Sequence, residues 1–232
     1  ELILSDLETV TKRIAKCEKL IKTNDKNNKI QLEILLLIQK DLENGQLINL
    51  KNFTEDEQKI IKSFQLLSSK PMFFIGNIND SEQSQKYIEQ LNLVAKELNT
   101  FVIPVSIKIE HEISTLEEEE KKEYLEVMGL DEPILNKIIL EGYKMLGLKT
   151  FFTAGPNEIR AWTIKDGFTA PNAAGVIHTD FERGFIKAEV IDFKDYIANG
   201  GELGAKENGK LRLEGKDYIV KDGDVIHFKF NV

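Results

Sequence analysis

The hydrophobic pattern of the first 65 residues predicts three helices. Apolar side chains alternate at steps of four and three, a spacing typical of a helix that packs along a partner helix, at Ile3, Leu7, Val10, Ile14, Cys17 and Ile21. The polar segment 24–28 is predicted to end this helix. A second helix is predicted from about Ile30 to Asn44, with an apolar run that suits a buried core and with Ile34, Leu37 and Ile38 on one face.

These two helices are expected to form an antiparallel helical hairpin, which serves either as a spacer or as an arm that docks a partner. A third helix is predicted to start at Thr54, because Thr54 and Glu57 have the spacing of a capping box. Ile60, Ile61 and Phe64 supply its apolar face.

After the third helix the hydrophobic pattern changes, and it predicts a strand–helix–strand unit. Apolar segments 71–76 and 101–106 are predicted strands, and the helix between them is indicated by Tyr87, Leu91, Val94 and Leu98. Because the connection is a helical crossover, the two strands are expected to be parallel. The acidic run Glu117–Glu120 is predicted to be the first turn of a further helix rather than a metal site, since the helix dipole favours acidic residues there.

The last third of the chain predicts two hairpins with a short helix between them. Residues 150–153 and 158–164 alternate around Gly155 and Pro156, and a short helix is predicted to begin at Pro171. Further strands are predicted at 185–191 and 225–230, the second after a turn at 222–224. This order is that of a β-grasp. Trp162 is expected to be half-buried in the sheet, and His178 to cap the short helix.

The amino-acid composition indicates to which class of protein this chain belongs. The chain has 41% hydrophobic and 30% charged residues, which is typical of a soluble globular protein, and no apolar run approaches the about 18 residues that a membrane span needs. One cysteine excludes an internal disulfide framework, and a cytosolic location is expected. The three histidines are widely spaced, so no metal site is expected. The net charge of −8 gives no general attraction for nucleic acid.

Candidate chemistry lies where the two predicted parallel strands end. Ligands of open parallel sheets bind beyond the carboxyl ends of the strands, and the residues there are Asn77, Ile78, Asn79 and Asp80, then Ser106 and Ile107. An Asn side chain both donates and accepts hydrogen bonds, so it can read a purine edge. An ordinary Asx turn is the competing interpretation of the same residues.

The segment FFIGNIND (73–80) resembles the base-reading segment of the YchF/Obg-like ATPases. That family carries N-x-x-E where translation-factor GTPases carry N-K-x-D. Here Ile78 stands in place of the lysine, and Asp80 stands where the family usually has Glu. The resemblance extends to YKMLGLKTFFTAGPNEIRAWTI, PNAAGVIHTDFERGFIKAEVI and KLRLEGKDYIVKDGDVIHFKFNV, which look like the family's TGS domain.

The resemblance implies an α/β plus α+β protein in three parts. Residues 1–64 would be the helical hairpin, 65–148 the C-terminal portion of a P-loop nucleotide-binding domain, and 149–232 a β-grasp TGS domain. The chain is then expected to be the C-terminal part of a longer monomeric protein, with base-binding residues Asn77, Ile78, Asp80, Ser106 and Ile107. No G-x-x-x-x-G-K-[ST] segment occurs in it.

The resemblance also implies a function for the longer protein, which would be a ribosome-associated enzyme hydrolysing ATP, or GTP, with Mg²⁺. This chain alone is expected to be inactive and to contain no catalytic residue. The alternative is a non-enzymatic RNA- or protein-binding module. Basic residues late in the chain are the candidates for RNA or ribosome contact, although a merely solvated face would look the same: Lys206, Lys210, Arg212, Lys216 and Lys221.

Overall fold

The computed structural model describes residues 1–21, 26–79, 81–155 and 158–231. Two compact units are present, Glu1–Lys122 and Glu123–Val232. Among the described helices, none combines the length and apolar character that a membrane span requires. The predicted division at residues 64 and 148 stays a prediction.

The first unit begins with two long helices, α1 (Leu2–Ile21) and α2 (Lys26–Glu43). The predicted seam of α1 is confirmed for its described side chains: Val10, Ile14 and Cys17 are buried, and Ile3 and Leu7 are partly buried against the same core. The side chain of Ile21 lies outside the described set. Residues 24 and 25 of the predicted turn also lie outside it. The prediction is wrong for Lys26–Asn28, which already belong to α2, because Lys and Asn are compatible with a helix.

The predicted buried face of α2 is wrong by one position. Ile34 and Ile38 are buried as expected, but Leu36 and Leu37 are 48% and 55% exposed, and Leu35 and Leu42 complete the buried face. With about 100° between successive residues, Leu37 projects roughly 115° from the middle of that face. A run of five apolar residues cannot all reach one core from a helix.

A 3₁₀ turn (Leu50–Asn52) leads to α3 (Glu55–Ser63). The predicted capping box is confirmed, since the Thr54 side chain accepts from the Glu57 N–H and the Glu57 carboxylate accepts from the Thr54 N–H. Ile61 and Phe64 are buried with the α1–α2 core. The loop after α3 is held by the buried Asp6, whose carboxylate accepts from the N–H groups of Leu67 and Ser68 at 2.9 and 2.6 Å and from the Ser68 hydroxyl at 2.6 Å.

The strand–helix–strand unit forms as predicted. β1 (Phe74–Asn77) and β2 (Val102–Val105) are parallel, and α4 (Glu82–Glu97) connects them. Of the four residues that indicated α4, Tyr87 and Val94 are more than 40% exposed, and Ala95 is the buried residue of its inward face. Gly76 lets α4 approach β1 closely, because a Cβ there would overlap the side chain of Ile88. Helix α5 (Ile107–Ser114) follows β2 directly.

Helix α6 (Glu118–Val127) contains the boundary between the units, and its first turn is acidic as predicted. The second unit continues with α7 (Ile134–Met145), β3 (Leu148–Ala154) and β4 (Ile159–Lys165). Residues 156 and 157, at the predicted turn of this hairpin, lie outside the described residues. Short helices α8 (Ala170–Ile177) and α9 (Thr179–Arg183) come next. The remaining elements are β5 (Phe185–Asp192), α10 (Phe193–Ala198), α11 (Glu202–Glu207), β6 (Arg212–Glu214) and β7 (Asp224–Phe230).

The five strands of the second unit form one mixed sheet in the order β4-β3-β7-β5-β6. β3 and β7 pair in parallel, and the other neighbours are antiparallel. One face of the sheet packs on α8 around Phe151, Ile164 and Phe228. Trp162 is half-buried, as predicted, and its Nε1–H donates to Thr153. His178 caps both α8 and α9: its N–H donates to the Ala174 carbonyl, and its Nδ1 accepts from the Asp180 N–H.

Candidate functional site

The ends of β1 and β2 meet at one edge of the first unit. Asn77 is opposite Val105 in the parallel register, and the Ile78 N–H donates to the Val105 carbonyl at 2.9 Å. This bond extends the pairing one residue beyond β1, so both chains leave the sheet at the same level. The candidate residues after each strand are therefore brought together, as their positions in the sequence predicted.

A side chain ties the two strand ends to each other. The Asn77 Oδ1 accepts a hydrogen bond from the Ile107 N–H at 3.3 Å. Ser106 caps α5, since its Oγ accepts from the Ile109 N–H. The Asn77 amide therefore fixes the start of α5 through its oxygen, and no described residue accepts a hydrogen bond from its NH₂ group, which can donate to a ligand at this edge.

Asn79 organises the turn that follows β1, and it is not one of the base-binding residues that the family resemblance implied. Its Oδ1 accepts from the Ser81 N–H at 3.1 Å and from the hydroxyls of Ser81 and Ser84 at 2.5 and 2.6 Å. Ser81 is the N-cap of α4. The Asn-x-Ser-x-x-Ser spacing is the sequence signal for this turn. The Asx turn that competed with ligand binding is thus formed by Asn79, whereas Asn77 bonds across the strands.

The predicted base-contacting residue Asp80 lies outside the described residues. The described members, Asn77, Ile78, Ser106 and Ile107, combine amide and hydroxyl groups with two apolar side chains, one half-buried and one exposed. These four residues carry no charge. The set can therefore recognise an uncharged ring through hydrogen bonds and apolar contact, and it offers no acid, base or nucleophile strong enough for catalysis.

The five predicted contact residues of the second unit divide into two groups. Lys210 pairs with Asp195 at 3.3 Å, and Arg212 lies within 4 Å of carboxylate oxygens of both Glu214 and Asp224. Within the described chain, no acidic side chain forms an ion pair with Lys206, Lys216 or Lys221. The positive charges of the second group are thus the more available ones for an external anion.

Arg212 belongs to a partly buried network around Asp224, which is 1% exposed. The Asp224 Oδ2 accepts from the Tyr218 hydroxyl at 2.7 Å and from the Lys221 N–H at 2.9 Å. Burial, together with the nearby Asp224 carboxylate, raises the pKa of the Tyr218 phenol well above its ordinary value. Sequence spacing did not indicate that Arg212 has this structural role.

The sequence model of one family, YchF-GTPase_C, described as a protein of unknown function (DUF933), matches residues 148–231. The chain is 49% identical to the ribosome-binding ATPase YchF of Haemophilus ducreyi and 48% identical to that of Bacillus subtilis, in both cases over its full length. It spans 64% of the length of these curated relatives.

Solved structures show the same relationship. The chain is similar to the Schizosaccharomyces pombe YchF GTPase with a TM-score of 0.81 and 31% sequence identity. The match covers 99% of this chain and 63% of the yeast protein. The arrangement of elements described above is therefore that of a known mixed α/β fold.

Proposed function

Since the chain belongs to the YchF family, we propose that it forms the base-binding edge of an ATP site in a ribosome-associated ATPase. The hydrogen bond between the Asn77 Oδ1 and the Ile107 N–H carries this proposal. It places one amide donor and the apolar Ile107 together at the carboxyl edge of the parallel strands. Ligands of parallel α/β sheets bind at this edge.

The purine would be recognised as follows. Adenine and guanine both present an N7 acceptor, and the Asn77 NH₂ is the donor that can reach it. Ile107, 57% exposed, would cover one face of the ring. Ile78 supplies no ammonium group, so the site lacks the lysine that GTPases have in N-K-x-D. Asp80 would distinguish the two bases.

Residues of this chain fit the base end of a nucleotide and not its phosphates. The four described site residues are uncharged, and a phosphate-binding G-x-x-x-x-G-K-[ST] segment does not occur in the sequence. When bound, ATP or GTP would supply the phosphoanhydride, and Mg²⁺ would neutralise its charge. Phosphate and Mg²⁺ ligands would come from groups other than those that bind the base.

The relatives are longer than this chain. We expect a protein of their full length that contains this chain to bind ATP at least as well as GTP, because Ile78 stands where GTPases have the lysine of N-K-x-D. Asn77→Ala should weaken the binding of both nucleotides about tenfold, because it removes the donor to N7 and the hydrogen bond to Ile107. Calorimetry with both nucleotides measures this, with Asn92→Ala, an exposed site on α4, as the matched control. A GTP preference of tenfold, about 1.4 kcal/mol, would contradict the base assignment.

The 232-residue chain by itself should hydrolyse neither ATP nor GTP, because most phosphate binding in such enzymes comes from the P-loop amides and lysine. The measurement is steady-state phosphate release from protein purified free of contaminating ATPases. Release above the buffer blank that scales with chain concentration would count against this expectation.

We also propose that the chain consists of three functional parts. Residues 1–64 would act as an antiparallel helical hairpin, which the common core of α1 and α2 supports. Residues 65–148 would complete a nucleotide-binding domain. Residues 149–232 would be a β-grasp TGS domain, which the mixed sheet packed on α8 supports.

Ribosome association would involve the three lysines that have no ion pair among the described residues. Relatives of this chain are named ribosome-binding ATPases, and phosphate contacts dominate the affinity of proteins for nucleic acid. Lys206, Lys216 and Lys221 are therefore favoured over Lys210 and Arg212, whose charges are balanced by neighbouring carboxylates. The alternative function is a non-enzymatic RNA- or protein-binding module.

A Lys206→Gln/Lys216→Gln/Lys221→Gln variant should bind ribosomes less tightly and lower the log–log salt slope by about two to three. Co-sedimentation across a salt series measures both quantities. The control is Lys165→Gln/Lys187→Gln/Lys194→Gln, which changes net charge equally in the same unit. Equal affinity and slope for the two triple variants would exclude the lysine contact and favour the helical hairpin as the docking element.

A further inference from the structure

Three side chains with metal-binding groups converge in the second unit. Glu189 on β5 faces His227 on β7 across the antiparallel pair, and Glu202 approaches from the first residue of α11. One potential ligand atom from each lies within 4.8 Å of those of the other two. These residues are 13 to 38 positions apart in sequence, which explains why motif spacing did not reveal them.

A small cavity lies at the same place, between the second face of the sheet and the α10–α11 segment. Its walls include all three side chains together with Tyr196 and Leu211. The cavity has room for about one water molecule or one ion. The ligand groups therefore surround a space of the correct size for a single ion.

The surroundings already favour a positive charge at this point. The Lys229 ammonium lies 3.3 Å from the Glu189 Oε2 and 3.5 Å from the His227 Nε2. It therefore contacts two of the three candidate ligands. A lysine in this position is a competitor for a metal ion, because it neutralises the carboxylate and lies against the imidazole nitrogen that a metal ion would bind.

We propose that Glu189, Glu202 and His227 bind one divalent transition-metal ion of the Zn²⁺ type. One imidazole nitrogen and two carboxylates form a ligand set that zinc accepts, with water as the fourth ligand. Zinc bonds of about 2.0–2.2 Å place tetrahedral ligands roughly 3.4 Å apart. The three groups thus need to close by about 1 Å or slightly more, which partly exposed side chains on the surface can do.

The ligand set selects against Mg²⁺ and Ca²⁺. Both ions prefer sites made wholly of oxygen atoms, and Ca²⁺ takes six to eight ligands. An imidazole and two carboxylates around space for one ion suit a smaller coordination number and a borderline-soft metal. Binding of Zn²⁺ displaces the Lys229 ammonium into solvent, so the lysine lowers metal affinity without being a ligand.

Calorimetric titration of the 232-residue chain with ZnCl₂ tests the proposal. One ion should bind per chain at this site, and His227→Asn or Glu202→Gln should weaken binding at least tenfold. Lys229→Gln should tighten it, which a merely structural role of Lys229 would not produce. MgCl₂ should give no heat that depends on His227.

The two other histidines provide matched controls, since His111→Asn and His178→Asn remove an imidazole elsewhere in the chain. Both should leave zinc affinity unchanged, and circular dichroism checks that every variant is folded. The proposal is wrong if the parent binds no Zn²⁺ at millimolar concentration, or if His178→Asn or His111→Asn abolishes binding while His227→Asn does not. Substitution by Co²⁺ should give visible absorption that disappears in His227→Asn.

Discussion

Asp6→Ala should destabilise the first unit by about 3 kcal/mol. The Asp6 carboxylate is 3% exposed and accepts three hydrogen bonds, from Leu67, Ser68 and the Ser68 hydroxyl. Removing it leaves three donors without this acceptor in a largely buried place, at a cost of about 1 kcal/mol each. The free energy of unfolding is best followed by far-UV circular dichroism in urea, because the first unit contains the long helices α1 and α2.

The control is Glu8→Ala, an exposed acid two residues away on α1 that pairs with Lys12. It removes the same charge and introduces the same residue. We expect the free energy of unfolding to change by no more than about 0.5 kcal/mol. Asp6→Asn keeps one acceptor oxygen and should fall between the two. Equal losses for Asp6→Ala and Glu8→Ala would mean that the bonds to Leu67 and Ser68 contribute no net stability.

Asp224→Ala should destabilise the second unit by about 3 kcal/mol. Asp224 accepts from the Tyr218 hydroxyl and the Lys221 N–H, and it lies 3.5 Å from Arg212. Its loss leaves a partly buried phenol, a backbone N–H and a guanidinium without this acceptor. The single tryptophan, Trp162, is half-buried against the core of this unit, so its fluorescence reports the unfolding of this unit. Asp217→Ala, an exposed neighbour, is the control and should change stability little.

The same network gives a pH dependence. The pKa of Tyr218 in the folded protein is raised above that of an unfolded tyrosine, about 10. Above pH 10 the folded state therefore holds a proton that the unfolded state releases, and stability falls as pH rises. Tyr218→Phe should lose stability at pH 7 and show a shallower alkaline decline than the parent. Parallel declines for the two proteins above pH 10 would contradict the shift.

The elements that local chemistry determines could be read from the sequence. The capping box of Thr54 and Glu57 and the alternation of β4 depend on neighbouring residues, and both are present in the structure. The inward face of α2 was misassigned because Leu35 and Leu37 are equally apolar. Only the position of α1 and α3 decides which of them is buried, and hydrophobicity alone does not contain that information.

The candidate sites likewise contain some contacts that sequence order predicts and others that depend on tertiary packing. The meeting of Asn77 with Ile107 follows from parallel strands, so sequence order was sufficient to predict it. The pairing of Lys210 with Asp195 was not predictable, because Asp195 lies on α10 whereas Lys210 follows α11. The cluster of Glu189, Glu202 and His227 likewise depends on the register of β5 against β7. Contacts that depend on how distant strands and helices pack can be identified only from the structure.

The position of β7 in its sheet has a consequence for synthesis. β7 is the last strand along the chain, yet it lies in the middle of the sheet, between β3 and β5. While residues 224–230 are still inside the ribosome exit tunnel, β3 and β5 have no common neighbour and their inner edges are exposed. The second unit must therefore fold after translation has passed Phe230. Until then the nascent sheet presents unpaired strand edges, which favour aggregation unless a chaperone shields them.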